Sequence, residues 1–595
     1  LQGIKVQKKS SSILQFVNVY DESGKYDPLF ITNFAIINIL DELSRTPGVG
    51  EAKLFGGLDY SMRIWFDTAR LTSLDLAPSD IIKAIQSQNV QASVGRIGAR
   101  PVPENQQFQV NVQTQGRLVD SEEFGNIVLR ANADGSTLRI KDVARVELGA
   151  MNDDNFSRLN GHPAVTIGIF LSPGANAIAT AAAVKETLDK VRPRFPEGLQ
   201  ARATYDTTIF VNDTIHEVLI TLFEAFVLVA FVVFLFLGQL RATIVPVIAV
   251  PVSLIGGFMV LAAFGYSANT VSLLAMVLAI GIVVDDAIVV VENVERVMEE
   301  EPDLSPADAA KKAMTQVTAP IIGITLVLLS VFVPVAFIAG ISGTLFRQFA
   351  VTIIATVLIS AFNALTLSPA LCALFLRHSG PRRGLMGYVS RAIDGVRDGY
   401  ALLVRKLLRF SVLGVVLVVA FGLGVGGLAR VTPTSFLPEE DQGAFFVQVQ
   451  LPDGVSVART SEVVGQVEAV LKSMPQVKDT VSIIGYSFLD SFSASNTAFM
   501  VAALQPFEDR KQAADSAQAL IAKTFGAGLQ VRTATVLPFN LPPVIGLGTT
   551  GGFEYQLESF EGADPATMGS VVQGLIDATK QDSRFAQVFT TYGAA

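Results

Sequence analysis

Six long apolar segments constrain the fold of this 595-residue chain more than any other feature of its sequence. By hydropathy they cover residues 218–237, 244–264, 271–291, 319–339, 349–376 and 411–428. At about 1.5 Å per helical residue, each is long enough to cross a hydrocarbon core of roughly 30 Å. Only 17% of the residues are charged, against about 25% in an average soluble domain. We therefore predict an α-helical transmembrane bundle of six spans.

The short loops between the spans predict the orientation of this bundle. Lys and Arg are concentrated in the first, third and fifth loops, above all in residues 377–409, whereas the second loop, residues 265–270, contains neither. Cytoplasmic loops of membrane proteins carry an excess of Lys and Arg. We expect the odd loops, including the loop or helix 377–409, in the cytoplasm. Because six crossings return the chain to its starting side, both soluble blocks are expected on the outer face, which in a bacterium is the periplasm.

The two soluble blocks show alternating strand and helix patterns. In the first block we predict strands at 13–20, 51–66, 164–171 and 199–205, with helices at 28–44 and 175–191. An inserted subdomain between them has a helix at 79–88 and strands at 107–114 and 126–129. The second block repeats the unit with strands at 444–450, 480–486, 498–504 and 529–535 and helices at 457–472 and 512–523. A further copy is predicted at 553–559, 565–579 and 589–591.

Paired strand–helix–strand units of this kind form the ferredoxin-like β-α-β arrangement. The predicted fold is thus a helical bundle plus α+β subdomains, divided as 1–67 with 150–210, 68–149, 211–430, 431–540 and 541–595. Half a β-α-β domain cannot cover its own sheet. We therefore expect the last subdomain to be truncated or to pair with sequence outside this chain.

Two adjacent carboxylates, Asp285 and Asp286, interrupt the third apolar segment. A charged residue at the bilayer centre costs at least about 2.5–3.5 kcal/mol and usually marks an ion or proton pathway. The pair is therefore interpreted as a proton or cation relay; the alternative is a cytoplasmic helix end with solvated carboxylates. The cores of the six apolar segments contain no Lys, Arg or His. A compensating cation is expected from sequence outside this chain.

Other polar residues of the spans have two interpretations each. Glu224, in the first apolar segment, is either a second membrane acid or an interfacial residue that reaches the lipid headgroups. Asn363 and Thr366, in the fifth segment, either extend a polar path or form hydrogen bonds between helices.

No pattern of catalytic or metal-binding residues is found in the sequence. The three His residues lie at positions 162, 216 and 378 and do not form a ligand set. The net charge of −9 argues against a nucleic-acid partner. We predict that the protein is not an enzyme and needs no cofactor.

Four aromatic residues of the soluble blocks lie at predicted strand ends: Phe55, Tyr486, Phe488 and Phe539. Each on its own is explained by core packing. Together they form a candidate apolar, adaptable pocket for hydrophobic ligands.

Several of these motifs resemble one family. The segment Gly281-Ile-Val-Val-Asp-Asp-Ala-Ile-Val-Val-Val-Glu-Asn-Val-Glu295 is similar to the signature of resistance–nodulation–division transporters of the hydrophobe/amphiphile efflux branch. Supporting segments are Tyr205-Asp-Thr-Thr208, Ser368-Pro-Ala-Leu-Cys-Ala373 and Ser435-Phe-Leu-Pro-Glu-Glu-Asp-Gln-Gly443. The resemblance extends over the whole chain.

The resemblance implies a proton-driven multidrug exporter of the Gram-negative inner membrane. Such pumps are homotrimers that join a periplasmic adaptor and an outer-membrane channel, with twelve spans, of which this chain would hold six. The soluble blocks would be porter subdomains, and residues 68–149 a docking subdomain that faces the channel. The family's relay lysine would belong to the absent half.

The resemblance also assigns candidate site residues. Asp285, Asp286 and Glu224 match proton-relay acids, with protons as the coupling ion. The positions that match the family's distal drug pocket are Lys53, Phe55, Asn152, Tyr205, Ile483, Tyr486, Phe488 and Phe539. Where familiar members carry phenylalanine, this chain has Ile13, Val481 and Val501, which leaves the drug spectrum open.

The resulting hypothesis is proton-motive-force-driven efflux of hydrophobic and amphiphilic compounds. One rival is a membrane receptor or scaffold in which the aspartates only hold helices together. Another is a cation-coupled exporter of lipid or other hydrophobic molecules with a similar bundle.

Overall fold

A computed structural model describes residues 10, 13–91, 95–98, 101, 107–112, 116–133, 135–377, 385–432, 440–541, 555–560, 562–582, 585 and 588–592. The chain forms two compact units: Leu1–Thr208 with Leu437–Ala595, and Ile209–Phe436. Residues 435–439 of the predicted Ser435 motif, residues 378–384 of the predicted cytoplasmic loop and residues 553–554 of a predicted strand lie outside the described residues.

The first block begins with a strand and a helix whose boundaries are set by local chemistry. Asp27 accepts a hydrogen bond from the Phe30 amide and Pro28 occupies the first helical position. Both features favour the start of a helix.

The elements of the first block in order are β1 (Ile13–Asp21), α1 (Pro28–Ala35), a π-helical turn (Ile36–Leu40), α2 (Asp41–Ser44), β2 (Val49–Phe55), β3 (Tyr60–Phe66), α3 (Thr68–Ser73), α4 (Pro78–Gln88), β4 (Arg96–Ile97), β5 (Val110–Asn111), α5 (Ser121–Gly125), β6 (Val128–Ala131), β7 (Thr137–Arg139), α6 (Ile140–Val143), β8 (Ala144–Ala150), β9 (Phe156–Leu159), β10 (His162–Leu171), α7 (Ala177–Val191), a 3-10 turn (Arg192–Arg194) and β11 (Leu199–Asp206).

The second unit consists of helices. They are α8 (Thr207–Leu237), which starts at the end of the first unit, α9 (Leu240–Ala263), α10 (Thr270–Glu300), α11 (Pro306–Ala336), α12 (Gly340–Leu365), α13 (Leu367–Phe375), α14 (Leu385–Arg409) and α15 (Ser411–Val431). Six of the helices described are long and apolar enough to cross a membrane, as predicted.

The fifth predicted span, 349–376, is one continuous segment in the sequence but two helices in the structure. The chain bends at Thr366, between α12 and α13. Pro369 follows three residues later. Its ring removes one backbone donor and collides with the carbonyl four residues back, which breaks a helix at this place.

The last block repeats the pattern of the first. Its elements are β12 (Ala444–Gln450), α16 (Val457–Lys472), β13 (Val477–Ile484), β14 (Thr497–Leu504), two 3-10 turns (Phe507–Asp509 and Ala513–Asp515), α17 (Ala517–Gly528), β15 (Thr535–Phe539) and α18 (Pro565–Lys580).

The strands of both blocks join one nine-stranded sheet. In the first block the order is β11-β1-β10-β2, which we call the N-terminal sheet, and in the last block it is β15-β12-β14-β13, the C-terminal sheet. The short strand β9 pairs with both β10 and β13 and connects the two sheets. Helices α1, α2 and α7 cover one face of the N-terminal sheet, and α16 and α17 cover one face of the C-terminal sheet.

The inserted segment is carried by a two-stranded ribbon. β3 pairs with β8 from Tyr60 opposite Ala150 to Phe66 opposite Ala144. Between these strands the segment has its own small core, centred on Leu71, Ile81 and Ile140. The inserted segment therefore packs around a hydrophobic core of its own within the first unit.

Several predicted strands are wrong in detail. The strand predicted at 51–66 is two strands, β2 and β3, because Gly56 takes φ +65° and the chain turns there. Of the strand predicted at 107–114, only Val110–Asn111 is a strand among the described residues, and residues 113–114 lie outside them. The strand predicted at 529–535 is displaced to Thr535–Phe539. Described residues 555–559 and 589–591 are not strands, although helix α18 is present as predicted.

Candidate functional site

The adjacent acids of α10 occupy different environments. Counted from Thr270, Asp285 and Asp286 are residues 16 and 17 of a 31-residue helix. Asp286 is only 6% exposed, whereas Asp285 is exposed. Adjacent helical residues point about 100° apart, so the two side chains face different surroundings, and only one of them is buried in this structure. In this unit that residue is Asp286.

A hydroxyl group on the neighbouring helix holds the buried carboxylate. Ser360 of α12 donates to Asp286 Oδ2 at 2.8 Å and also lies 3.2 Å from the Val283 carbonyl oxygen. One turn further along α12, Asn363 Nδ2 donates to Ser253 Oγ of α9 at 2.8 Å. Three helices are thus linked by polar contacts around one acid.

The sequence prediction included Asn363 but missed Ser360. A detectable signal existed, because Thr352, Thr356 and Ser360 recur every four residues and are all buried. Thr366, by contrast, is exposed and its hydroxyl donates to the Phe362 carbonyl of its own helix.

Glu224 is not part of this polar group. It is exposed on α8. Among the described residues no ion pair involves Asp285, Asp286 or Glu224, and no cluster of three or more His, Cys, Asp or Glu side chains could hold a metal ion. The local arrangement consists of one buried acid on α10, its hydroxyl donor on α12 and a polar contact between α12 and α9.

A second candidate site is an aromatic cluster on the face of the nine-stranded sheet that the helices do not cover. Alternation along the strands directs Phe16 of β1, Phe446 of β12 and Phe499 of β14 to this face, and all three are at most 4% exposed. We call the following residues the aromatic cluster: Ile13, Phe16, Tyr20, Phe55, Leu159, Ala164, Phe170, Tyr205, Ala444, Phe446, Val481, Ile483, Tyr486, Phe499, Val501 and Leu541, with Phe488 and Phe539 packed against them.

The rings of the aromatic cluster contact one another across the two sheets. Phe16 lies 6.4 Å from Phe499 and Tyr205 lies 5.7 Å from Phe446, ring centroid to centroid. Phe488 stacks on Phe499 at 4.4 Å. The cluster is closed in this structure, with its rings in mutual contact.

Most predicted pocket residues belong to this cluster. Phe55, Tyr205, Ile483 and Tyr486 are buried in it, Phe488 and Phe539 pack on it, and Lys53 lies over the rings of Phe55 and Tyr486. Burial raises the pKa of both Tyr205 and Tyr486 above that of a free phenol.

Asn152 is the exception among the predicted pocket residues. It is exposed between β8 and β9, and its side-chain oxygen accepts a hydrogen bond from the Asp154 amide. The prediction in turn missed Phe16, Phe446 and Phe499, which are buried in the cluster and contact one another and its other rings.

A polar network lies beside the aromatic cluster and also joins the two sheets. Arg202 of β11 donates two hydrogen bonds of 2.8 Å to Asp479 of β13, and Asn160 donates a third at 2.9 Å. Burial acts to raise the pKa of Asp479, but these hydrogen bonds outweigh it and hold the pKa below its ordinary value. The same contact with Asp479 raises the pKa of Arg202.

Comparison with known proteins identifies the family. The sequence model of the AcrB/AcrD/AcrF family matches residues 1–594. The chain belongs to this family. Membership in the AcrB/AcrD/AcrF family confirms the predicted relationship to resistance–nodulation–division transporters of the hydrophobe/amphiphile branch. Together with six helices able to span a membrane, it makes this a multi-pass membrane protein.

Individual relatives within the AcrB/AcrD/AcrF family are similar over almost the whole chain. It is 42% identical over 563 residues to the multidrug export protein AcrF and to the multidrug resistance protein MdtF, both of Escherichia coli (strain K12), covering 93% of this chain and 54% of each relative. The toluene efflux pump membrane transporter TtgB of Pseudomonas putida is 40% identical over 581 residues, or 95% of this chain and 54% of TtgB. The chain spans about half the length of these relatives.

Proposed function

We propose that the protein takes part in proton-driven efflux of hydrophobic and amphiphilic compounds, as a transporter and not as an enzyme. The observation that carries this proposal is the carboxyl group of Asp286, buried between apolar helices and held by Ser360. A charge in such a place is costly, so a proton that neutralises it changes how the helices pack. The proton itself is the coupling ion, and no cofactor is required.

The cargo follows from the family and from the aromatic cluster. The relatives are named for multidrug export, multidrug resistance and toluene efflux. We propose that the cluster opens between the two sheets and that its rings then bind apolar cargo. The substrate-binding residues in this proposal are Lys53, Phe55, Asn152, Tyr205, Ile483, Tyr486, Phe488 and Phe539.

The two sheets support an assignment as porter subdomains. Each follows the order strand, helix, strand, strand, helix, strand, and each places its fourth strand beside its first and its third between first and second. We propose that these are ferredoxin-like porter subdomains, and that residues 68–149 form the docking subdomain.

The wider assembly is proposed from the family alone. The protein would be a homotrimer of the bacterial inner membrane, with twelve spans in total and soluble domains in the periplasm. It would work with a periplasmic adaptor and an outer-membrane channel.

Replacing Asp286 with Asn in the native protein tests the coupling. We expect efflux of a hydrophobic dye from energised cells to fall to the level of cells without the pump, because Asn cannot take up and release a proton. Assembly, measured by native gel or light scattering, should be unchanged. Asp303→Asn, at an exposed position between α10 and α11, is the matched control and should transport normally.

Three outcomes would contradict the proposal. Retained efflux by Asp286→Asn would show that this acid does not couple transport. Loss of assembly would favour a purely structural role of the acid. Efflux driven by a sodium gradient without a pH gradient would favour the cation-coupled exporter.

A further inference from the structure

Hydrogen bonds join the N-terminal sheet to the C-terminal sheet at two separate strands. The first attachment is β9, which forms backbone ladders with β10 and with β13. The second is Arg202 on β11, which donates two hydrogen bonds of 2.8 Å to Asp479 on β13. In the sheet, β1 lies between β11 and β10. Neighbouring strands are about 4.8 Å apart, so on the N-terminal sheet the two attachments are roughly 10 Å from each other.

The turn between β9 and β10 also contacts Asp479. Asn160 and Gly161 take φ +54° and +87°, the backbone of a two-residue hairpin turn that favours Asn-Gly. The side-chain nitrogen of Asn160 donates to Asp479 at 2.9 Å, and its side-chain oxygen accepts from the Thr480 amide at 2.8 Å. Asp479 therefore receives three hydrogen bonds from two segments of the first block.

Arg202 is itself held within the N-terminal sheet. Its Nε donates to the Tyr20 hydroxyl of β1 at 3.0 Å, and that hydroxyl donates to Gln200 at 3.1 Å. A planar guanidinium presents its donors in a fixed fork, so a side chain with three donors engaged is fixed in orientation. Arg202 thus connects Asp479 firmly to both β1 and β11.

Both attachments lie at the same end of the N-terminal sheet, which we call the attached end. Tyr20, near the end of β1, is opposite Ala164, and Ala164 in turn pairs with β9. Arg202 is opposite Asn18, two residues before Tyr20. The other end of the same strands, where β1 begins and β10 finishes, is called the far end.

Towards the far end the two sheets meet through aromatic rings. Phe16 of β1 lies 6.4 Å from Phe499 of β14, centroid to centroid. Ring pairs are favourable over a range of distances and angles, whereas hydrogen bonds weaken steeply when their geometry changes. The sheets therefore part more easily at the far end than at the attached end.

We infer that the Arg202–Asp479 pair, together with β9, confines the parting of the two sheets to a hinge rotation about one axis, which runs across β10, β1 and β11. This inference rests on the proposed function, because it takes the parting of the sheets as a step of transport. A single attachment would leave the sheets free to twist about it. Two attachments roughly 10 Å apart prevent that twist. Arg202 and Asp479 are positioning residues, because they act through the two sheets and not on cargo.

Distances between two spin labels test this axis in the purified native protein, reconstituted in lipid nanodiscs with and without toluene. Glu197→Cys with Lys472→Cys places labels at the attached end, and Pro173→Cys with Pro452→Cys places them at the far end; all four positions are exposed. Labelled protein is diluted with unlabelled protein, so that distances within one copy are measured. The native protein without either pair gives the background of labelling.

In the native protein we expect toluene to lengthen the far-end distance, while the attached-end distance stays narrow. Asp479→Asn and Arg202→Gln remove the second attachment and should broaden the attached-end distance as well. Arg202→Glu combined with Asp479→Arg restores opposite charges and should return a narrow distance. Arg459→Gln with Glu462→Gln, which removes an exposed pair on α16, is the control and should leave both distances unchanged.

An unchanged attached-end distance in Asp479→Asn, even with a lower melting temperature, would assign the pair to stability alone and overturn the inference. A native protein in which toluene lengthens both distances equally, or neither, would also overturn it. The proposed function is decided by a separate measurement. It fails if cells that express the native protein do not export toluene, whatever the two distances are.

Discussion

Arg202 and Asp479 illustrate how a buried charge is stabilised in the first unit. The Asp479 side chain is 5% exposed and that of Arg202 is 38% exposed. A lone carboxylate at such a site would be strongly destabilising. Here two parallel hydrogen bonds from one guanidinium, in the geometry that suits a carboxylate, and a third from Asn160 compensate for the lost water. The pair therefore contributes to holding β11 against β13.

Replacing Asp479 with Asn should destabilise the first unit. An exposed ion pair is worth up to about 1 kcal/mol and breaking a fully buried one costs about 3–5 kcal/mol. With Arg202 partly exposed, we expect a loss of about 2 kcal/mol, measured by thermal unfolding of the purified native protein. Glu462→Gln, which removes the acid of an exposed pair with Arg459, should leave the melting temperature nearly unchanged.

The same variant has a defined pH dependence. The pKa of Asp479 is lower in the folded protein than the roughly 3.9 of an unfolded chain. The stabilisation is therefore complete above about pH 4 and is lost as the pH falls below that value towards the folded pKa. The gap in stability between the native protein and Asp479→Asn should shrink on acidification; a constant gap would contradict this explanation.

At the level of single residues, the sequence showed which side chain carries a functional group better than it showed which other residues contact that side chain. Asp286 was identifiable because a carboxylate among apolar residues is rare. Its donor Ser360 was missed, because a serine in a membrane helix usually bonds to its own backbone, although its four-residue spacing from Thr356 and Thr352 is visible in the sequence. Arg202 and Asp479 are 277 residues apart in the chain, and nothing in either local sequence indicates that they meet.

Strand β9 is the element on which the continuity of the large sheet depends. Four residues, Phe156–Leu159, pair with β10 on one side and β13 on the other. The chain next to it packs closely, since Gly485 takes φ +84° and a Cβ there would lie 1.8 Å from the Asp154 carbonyl oxygen. The junction therefore requires glycine for two separate reasons.

Gly485→Ala should weaken this junction. A left-handed backbone costs a residue with a Cβ roughly 1–2 kcal/mol, and the steric clash adds about 1–3 kcal/mol as the backbone shifts. We expect a total of about 3 kcal/mol by thermal unfolding. Gly454→Ala is the matched control, because Gly454 has φ +79° with nothing within 4 Å of the added Cβ. A similar loss in both variants would show that the close approach to Asp154 is unimportant.

Most helices and sheet strands could be predicted from the sequence. The strand at 444–450 and the helix at 457–472 have the predicted bounds, and the segment predicted as a helix at 28–44 is helical throughout, with a π-helical turn between α1 and α2. Strand β9 was missed because four residues are too few to show a period. The strand predicted at 529–535 was displaced, because residues 529–534 form the irregular segment that follows α17.

For the whole molecule, the main expectation from the sequence that can be measured is the orientation of the helices in the membrane. The loops with Lys and Arg are predicted in the cytoplasm and the second loop outside. Cys372, the single cysteine of this sequence, is fully buried. The labelling of a cysteine introduced at an exposed loop position can therefore be distinguished from that of Cys372.

Ser267→Cys and Asp303→Cys test this topology in intact cells. A membrane-impermeant maleimide should label Ser267→Cys directly, since it lies in the second loop. Asp303→Cys, between α10 and α11, should be labelled only after the membrane is permeabilised. The native protein without either substitution serves as the blank. Labelling in the reverse order would place the soluble blocks in the cytoplasm and exclude the proposed envelope pump.

The double pairing of β9 also limits how genes of this family can recombine. Arg158 on β9, encoded before the helical region, hydrogen-bonds to Ser461 and lies 3.7 Å from Glu468, both encoded after it. A chimera with its breakpoint anywhere among the helices would join β9 from one parent to β13 and α16 from the other. Only parents that match at these facing positions should yield a folded hybrid.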